Sequence, residues 1–252
     1  MTKGEYDPVV RAEEVGSIVC SGDRRKYYRF RPARFYGGIA TADCVGCYLR
    51  CIFCWSWREV TRPQSYGQFY SPQQVARKLT SIARRRRFNL LRISGNEPTI
   101  GREHLLQVLG LIPEDFQFIL ETNGILIGHD KSYAEDLARF GNLGVRVSLK
   151  GTNENEFAAL TGAEPTGFTL QLKALENLLH AGVDVHPAVM VSFSPVENIQ
   201  KLRQGLRRIT PSFEDLEIEE LALYGDVEKR LRKAKLEYST AYQPRNIPPE
   251  QV

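Results

Sequence analysis

Three features are missing from or scarce in this chain of 252 residues. It has no apolar run of membrane-spanning length and no apolar secretory segment, which predicts a cytoplasmic protein without a membrane anchor. It has no strong charge of one sign: 34 basic residues face 30 acidic ones, so composition alone does not identify a nucleic-acid partner. Its five cysteines do not form an evenly spread disulfide framework. Four of them instead fall within eleven residues.

The cysteine cluster contains the run CYLRCIFC at 47–54, in which Cys47, Cys51 and Cys54 have the spacing CxxxCxxC. Thiolates are the soft ligands that hold iron–sulfur clusters, and a [4Fe–4S] cluster normally takes four of them. A group of three leaves one iron open to chelate a small molecule. The spacing therefore predicts a [4Fe–4S] site with these three cysteines as metal ligands and as the catalytic group.

A structural zinc site is the alternative, because Cys44 forms a CxxC step with Cys47. Zinc sites usually pair two such steps across a longer loop, and the CxxxC step does not fit that pattern. We interpret Cys44 as a small apolar core residue, with a position beside the cluster as the other interpretation. Cys20 is predicted to be a core or partly buried thiol.

After residue 35, apolar extended segments alternate with amphipathic helical ones, which is typical of βα units around a parallel sheet. Strands are predicted at about 35–41, 89–94, 115–121, 144–149, 183–192 and 216–224. Helices are predicted from a capping box at Ser71 to about Arg87, and at about 102–110, 132–140, 166–181 and 196–209. The pattern predicts an α/β fold with a partial, TIM-like (βα)6 barrel at 35–225, an N-terminal extension at 1–34, and a C-terminal helix and tail at 226–252. Ligands of such folds collect at the carboxyl ends of the strands.

Alternation along each strand predicts which side chains face the barrel lumen. In the fourth strand the apolar residues face the helices, which sends Arg146, Ser148 and Lys150 inward. The same argument sends Glu121 of the third strand and His186 of the fifth inward. A lumen of this polarity is a binding site rather than a packed core. His186 is open to two interpretations, contact with a bound molecule or a hydrogen-bonded core histidine.

The second motif, Gly95-Asn96-Glu97-Pro98, ends the second predicted strand. Together with the CxxxCxxC motif one βα unit earlier, it resembles the GGEP motif of the radical S-adenosylmethionine (SAM) superfamily. In that superfamily the open iron chelates SAM, and an electron from the cluster splits SAM to a 5′-deoxyadenosyl radical. The resemblance implies that Gly95, Asn96 and Glu97 hold the SAM ammonium and that the backbone around Phe53 contacts adenine. Asn96 replaces the second glycine of the motif, and we expect it to adopt the unusual backbone angles that asparagine tolerates.

Two further strings, ETNG at 121–124 and SLKG at 148–151, narrow the resemblance. With the cysteine motif they are similar to the activating enzymes of glycyl-radical enzymes, of the pyruvate formate-lyase activating type, over roughly residues 35–193. This implies that Glu121 contacts the SAM ribose and Lys150 the SAM carboxylate. It also implies a reductant such as flavodoxin or ferredoxin and a protein or peptide substrate. Ser148 stands in the same cofactor pocket but replaces the aspartate of that family, so the family's monovalent cation site is in doubt.

Other differences from the activating enzymes resemble a different group of radical SAM enzymes. Trp55 and Ser56 replace the usual His-Asn after the last cysteine, and Cys54-Trp55 resembles the wybutosine tRNA-modifying radical SAM enzymes. Two basic segments also have two interpretations each. The run 84–87 is interpreted as a solvated helix end, with RNA binding as the alternative. The aromatic–basic segment at 25–36 is interpreted as an edge strand over the barrel floor, with nucleic-acid or protein binding as the alternative.

The sequence therefore predicts a radical SAM enzyme with one [4Fe–4S] cluster that cleaves SAM and abstracts hydrogen from a substrate. A protein glycyl site is the first hypothesis for that substrate. RNA or nucleotide modification is the second hypothesis, and a zinc-stabilised binding module is the third.

Overall fold

Six parallel strands form the centre of the fold in the computed structural model, which describes residues 5–248. In chain order the strands are β1 (Cys20–Ser21), β2 (Arg24–Ala33), β3 (Ile39–Cys44), β4 (Gln68–Tyr70), β5 (Leu90–Ser94), β6 (Gln117–Thr122), β7 (Leu143–Leu149), β8 (Asp184–Met190), β9 (Glu217–Glu219), β10 (Leu221–Ala222) and β11 (Ala241–Tyr242). The helices are α1 (Pro8–Val19), α2 (Trp57–Thr61), α3 (Pro72–Arg86), α4 (Arg102–Gly110), α5 (Ile125–His129), α6 (Lys131–Leu137), α7 (Glu154–Thr161), α8 (Thr166–His180), α9 (Val196–Ile209) and α10 (Val227–Ala234).

The parallel strands lie in the order β3-β5-β6-β7-β8-β9, with helices between them along the chain. The sheet does not close, because within residues 5–248 β9 pairs with β8 and β10–β11 form a separate small sheet. This arrangement confirms the predicted α/β fold with an open barrel of six βα units. Parallel strands bring their carboxyl ends to one edge, so the loops after β3, β5, β6 and β7 meet there.

The first strand differs from the prediction at 35–41. Phe35–Gly37 forms a 3₁₀ turn, and the strand begins only at Ile39. Tyr36 has a φ of 54°, and Gly37 and Gly38 also have positive φ values, which an extended strand excludes. A side chain at position 38 would lie 2.5 Å from the Phe88 ring, so glycine is needed there for close approach.

Three predicted helices match the structure closely. Ser71 and Gln74 form the expected capping box of α3. The helices α4 and α9 have the predicted bounds, although neither has a side-chain cap. The predictions omitted α1, α2, α5 and α7. The domain boundaries stay predictions, and their outermost residues, 1–4 and 249–252, lie outside the described residues.

The aromatic–basic segment forms β2, which pairs antiparallel with β3. β4 covers the other edge of β2 only at 25–27. The rest of β2 is an edge strand, as expected. No helix between residues 5 and 248 combines the length and apolar content that a membrane span requires.

Candidate active site

The three cysteines of the CxxxCxxC motif lie in the loop after β3, at the carboxyl edge of the sheet. Backbone hydrogen bonds from Arg50 to Thr161 and from Ile52 to Leu160 attach this loop to the end of α7. A turn then brings the amide of Cys54 to 2.9 Å from the carbonyl of Cys51. All three thiols are free, and they interact electrostatically with one another. The loop thus gathers three soft donors without a disulfide.

Burial raises the pKa of all three thiols, and that of Cys51 rises to about 12. The neighbouring Glu97 carboxylate raises the pKa of Cys47 further, whereas the Lys150 ammonium opposes the rise at Cys51. Such thiols become thiolates when a cationic metal centre takes them as ligands.

Polar groups lie beside two of the three sulfur atoms. The Asn123 side-chain amide lies 4.0 Å from Cys47 Sγ and can donate to it, and the Ser56 hydroxyl lies 3.5 Å from Cys54 Sγ. Within residues 5–248 no three His, Cys, Asp or Glu side chains are arranged to hold a single metal ion. Three thiols with polar groups beside them fit an iron–sulfur cluster, whose potential hydrogen bonds to sulfur adjust.

Cys44 is separate from this group. It is fully buried on the core face of β3, and burial raises its pKa to about 11. Its charged neighbours are Arg25, Glu97 and Asp43 rather than the other cysteines. These surroundings support the interpretation of Cys44 as a core residue.

The Gly95-Asn96-Glu97 segment lies directly against the cysteine loop. Gly95 has a φ of 96°, and a side chain there would lie 2.9 Å from Asp43 Cα. Asn96 does not use the unusual backbone angles that asparagine tolerates, since its φ is not positive. Its side chain instead joins two loops, because its Nδ2 donates to the Cys44 carbonyl at 2.9 Å and its Oδ1 accepts from Ser56 at 2.7 Å. Gly95 is therefore the position of the motif that requires glycine. Asn96, which stands in place of the second glycine, contributes side-chain hydrogen bonds instead.

Glu97 is fully buried, and its carboxylate accepts several hydrogen bonds. Its Oε1 accepts from the Thr99 amide and hydroxyl and from the Thr122 hydroxyl, and its Oε2 accepts from the Asn123 amide at 2.9 Å. The carboxylate thus ties the GNEP loop to the ETNG loop beside Cys47.

The lumen-facing side chains follow the predicted alternation. Glu121 accepts from Arg92 and, at 2.7 Å, from Ser94. Although burial opposes its ionisation, Arg92 and Arg146 lower the pKa of Glu121. Ser148 donates to Glu219 at 2.8 Å, and the Lys150 ammonium donates to Ser148. Lys150 also lies near the thiols of Cys51 and Cys54, so β7 brings a cation to the cysteine loop.

Two predicted site residues have other surroundings. His186 is half-exposed and lies 3.3 Å from Glu217, level with Arg146 and thus several residues below the loop edge. The structure does not bring it to the cysteines. Phe53 stacks on Phe193 with ring centroids 5.5 Å apart, on the side of the cysteine loop that faces β10 and α10.

Several residues of this region were not predicted. Arg230 of α10 donates to the carbonyls of Ile52, at 3.0 Å, and Cys54, and its guanidinium lies 4.8 Å from the centre of the Trp57 ring. A lone arginine in a C-terminal helix gives no signal in the sequence. Glu219 could have been found, because the segment 217–219 alternates acidic and apolar residues.

Comparison with known proteins places the chain in a family. The family model of the radical SAM superfamily matches residues 43–209. The GTP 3′,8-cyclase of Thermodesulfovibrio yellowstonii is 31% identical over 117 residues, covering 46% of this chain and 35% of the relative. A probable GTP 3′,8-cyclase of Methanococcus vannielii is 31% identical over 120 residues, covering 47% and 38%. The matched region thus spans well under half the length of these curated relatives.

Solved structures show the same fold. Streptococcus suis SuiB bound to S-adenosylmethionine aligns with a TM-score of 0.59 at 20% identity, covering 78% of this chain and 42% of that one. Spore photoproduct lyase with bound AdoMet and dinucleoside spore photoproduct aligns with a TM-score of 0.56 at 12% identity, covering 93% and 71%. The family match extends over the loops that carry the cysteines, GNEP, ETNG and SLKG. The chain belongs to the radical SAM superfamily, whose members use a [4Fe–4S] cluster and S-adenosylmethionine.

Proposed function

We propose that Cys47, Cys51 and Cys54 hold one [4Fe–4S] cluster and that SAM binds beside it at the carboxyl edge of the sheet. The observation that carries this proposal is the meeting of three free thiols, Cys51 buried and Cys47 and Cys54 half-buried, with the GNEP loop and the Lys150 ammonium. When bound, the cluster supplies the electron for reductive cleavage of SAM, which gives a radical that abstracts hydrogen from a substrate. A low-potential reductant such as flavodoxin or ferredoxin would deliver that electron.

The residues of the pocket have separate proposed roles. Lys150, oriented by Ser148 and lying near Cys51 and Cys54, is a cation for the SAM carboxylate. The backbone of Gly95 and Asn96 supplies acceptors for the SAM ammonium. Glu97 holds this loop against the ETNG loop, since its carboxylate already accepts from protein donors. Glu121 stays the proposed ribose contact, held in position by Arg92 and Ser94.

We infer a nucleotide-class substrate in preference to a protein glycyl site. The glycyl hypothesis is supported by the resemblance of the cysteine motif and of the ETNG and SLKG strings, whereas the curated relatives are named as GTP 3′,8-cyclases. The lumen below the SAM position presents both carboxylates and guanidinium groups, which suit a molecule with donors and an anionic group. The superfamily match takes precedence over the zinc-stabilised binding module.

Anaerobic reconstitution tests the proposal. We expect about four iron and four sulfide per chain, an electron paramagnetic resonance signal of the reduced protein that changes on adding SAM, and 5′-deoxyadenosine as a product. Adding GTP, and separately a glycine-containing peptide, compares the two substrate classes through stimulation of 5′-deoxyadenosine formation. Protein that binds zinc but no iron or sulfide would contradict the cluster proposal. Stimulation by the peptide alone would contradict the nucleotide proposal and leave the cluster proposal intact.

A further inference from the structure

Helix α3 carries an unusual charge distribution. Its sequence PQQVARKLTSIARRR contains five basic residues and no acidic one, and the residue that ends it, Arg87, is basic as well. The basic side chains are exposed, whereas Val75, Leu79 and Ile82 pack inward. The outer face of α3 is therefore a positively charged surface on an otherwise nearly neutral chain.

These charges have no acidic partners. Some other surface arginines pair within the chain, as Arg102 does with Asp130, Arg139 with Asp136 and Arg207 with Glu214. Across the part of the chain that the structure describes, no basic side chain of α3 lies within 4.0 Å of a carboxylate oxygen. The helix dipole accounts for cations in the last turn only. Arg77 and Lys78 lie about two turns before that end, so the dipole does not account for them.

The structure joins this helix to the aromatic–basic segment of β2. A shallow groove of about 440 Å³ is lined by Phe30 of β2 and by Arg77, Lys78, Ser81, Ile82 and Arg85 of α3. The Lys78 ammonium lies 5.2 Å from the centre of the Phe30 ring and 5.5 Å from that of Tyr70, which fixes one wall. The basic face of α3 and an aromatic residue of β2 thus form a single surface, here called the α3 groove.

The polar residues of the α3 groove follow one side of the helix. Arg77, Ser81 and Arg85 are four residues apart, so the two arginines lie about 12 Å apart along the helix with the Ser81 hydroxyl between them. Guanidinium groups form paired hydrogen bonds with phosphate oxygens, and five of the six basic residues at 77–87 are arginines. The half-buried Phe30 side chain offers apolar contact beside these polar groups.

We propose that the α3 groove binds the phosphate backbone of a single-stranded nucleic acid. An acidic protein is the competing partner, but a stable protein interface covers about 800 Å² on each side. Three cations along one side of a single helix suit the repeated phosphates of a flexible strand better than a broad protein surface. The inference goes beyond the proposed function, because the groove lies outside the cysteine loop and needs neither cluster nor SAM to bind.

The test measures binding of fluorescein-labelled oligouridylate and oligodeoxythymidylate of about 20 nucleotides, longer than the sites of single-strand-binding folds. The reconstituted full-length protein is titrated without SAM or reductant, and the fluorescence anisotropy is followed at several salt concentrations. The test variant is Arg77→Gln/Lys78→Gln/Arg85→Gln. The matched control is Lys201→Gln/Arg203→Gln/Arg208→Gln, which removes the same charge from exposed positions of α9.

We expect the α3 variant to weaken binding about tenfold or more near 0.1 M salt and to reduce the salt slope by about 2, since each lost phosphate contact contributes about 0.7. The α9 control should stay within about twofold of the unchanged protein. Equal weakening by both variants would show a net-charge effect and overturn the proposal, as would no weakening by either. Poly-glutamate that displaces the oligonucleotide at equal charge concentration would favour the acidic protein and also overturn it. A thermal melt of each variant checks that it is folded.

Discussion

The loop edge and the lumen of this barrel lie within a few residues of each other along the same strands, yet they differ in whether their functional groups already have partners within the protein. At the loop edge, Cys47, Cys51 and Cys54 form no disulfide, and hydrogen bonds to the backbone hold the loop in place. In the lumen, the buried guanidinium groups of Arg92 and Arg146 already have carboxylate partners. The loop edge thus has donor groups available for a cofactor, whereas the lumen is nearly neutral before anything binds.

The largest expected effect separates the two kinds of cysteine. Cys47→Ala should abolish cluster binding, because one of three ligands is lost and the remaining two do not hold an iron–sulfur cluster. Cys44→Ala is the matched control and should retain the cluster, because Cys44 lies in the core away from the other thiols. Iron and sulfide analysis with the absorbance near the visible charge-transfer bands measures both. Loss of the cluster in Cys44→Ala with retention in Cys47→Ala would reverse the ligand assignment.

A substitution in the lumen should have a different effect, because it should lower the stability of the fold. Arg146 is 9% exposed and bonds both Glu217 and Glu219 at 2.6 and 2.8 Å. Arg146→Met removes the guanidinium that two partly buried carboxylates share and leaves them with Lys150 and His186 as cationic neighbours. We expect the free energy of unfolding to fall by about 3 kcal/mol. The exposed Arg207–Glu214 pair supplies the control, since Arg207→Met should change it by less than about 1 kcal/mol. Urea denaturation measures both, and equal small effects would show that the lumen pairs are solvated like surface pairs.

The same comparison explains which features the sequence revealed. The loop-edge motifs are local, so spacing predicted the cysteines as a site, and the resemblance to radical SAM sequences added GNEP and SLKG to it. The lumen could be predicted only as far as strand alternation extends: it placed Arg146, Ser148 and Lys150 inward but not their partner Glu219, which lies about 70 residues later. The segment from Phe35 to Gly38 was assigned to a strand because its aromatic residues resemble one, whereas its glycines and Tyr36 adopt positive φ angles.

Arg230 links the loop edge to a helix outside the family match, and its removal should have an intermediate effect. The guanidinium bonds the Ile52 and Cys54 carbonyls and lies near the Cys54 thiol. A cation there stabilises the more negative, reduced cluster, so Arg230→Met should lower its reduction potential by up to about 59 mV, a tenfold change for one electron.

Arg230→Lys distinguishes charge from positioning at this site. It keeps the cation but cannot bond two carbonyls with a planar fork. We expect its potential to stay near that of the unchanged protein while the cluster is lost faster in air. Spectroelectrochemical titration measures the potential, and an unchanged potential in Arg230→Met would show that Arg230 only packs against the loop.

The smallest expected effect is the pH response of the lumen. His186 and Arg146 lower the pKa of Glu217 to about 2, although burial opposes this. A carboxyl whose pKa is lower in the folded protein stabilises the fold above its unfolded value and loses that contribution as the pH falls toward the folded value. Stability should therefore fall between about pH 4.5 and 2, by less than about 1 kcal/mol from this group, because Glu217 is 42% exposed and screened by solvent. Glu217→Gln should flatten that part of the pH–stability curve, whereas Glu214→Gln at the exposed surface pair should leave it in place. An unchanged slope in Glu217→Gln would mean that the charge of Glu217 contributes as little to stability as a surface charge. The difference between the lumen and the loop edge would then depend on the pair of Arg146 and Glu219 only.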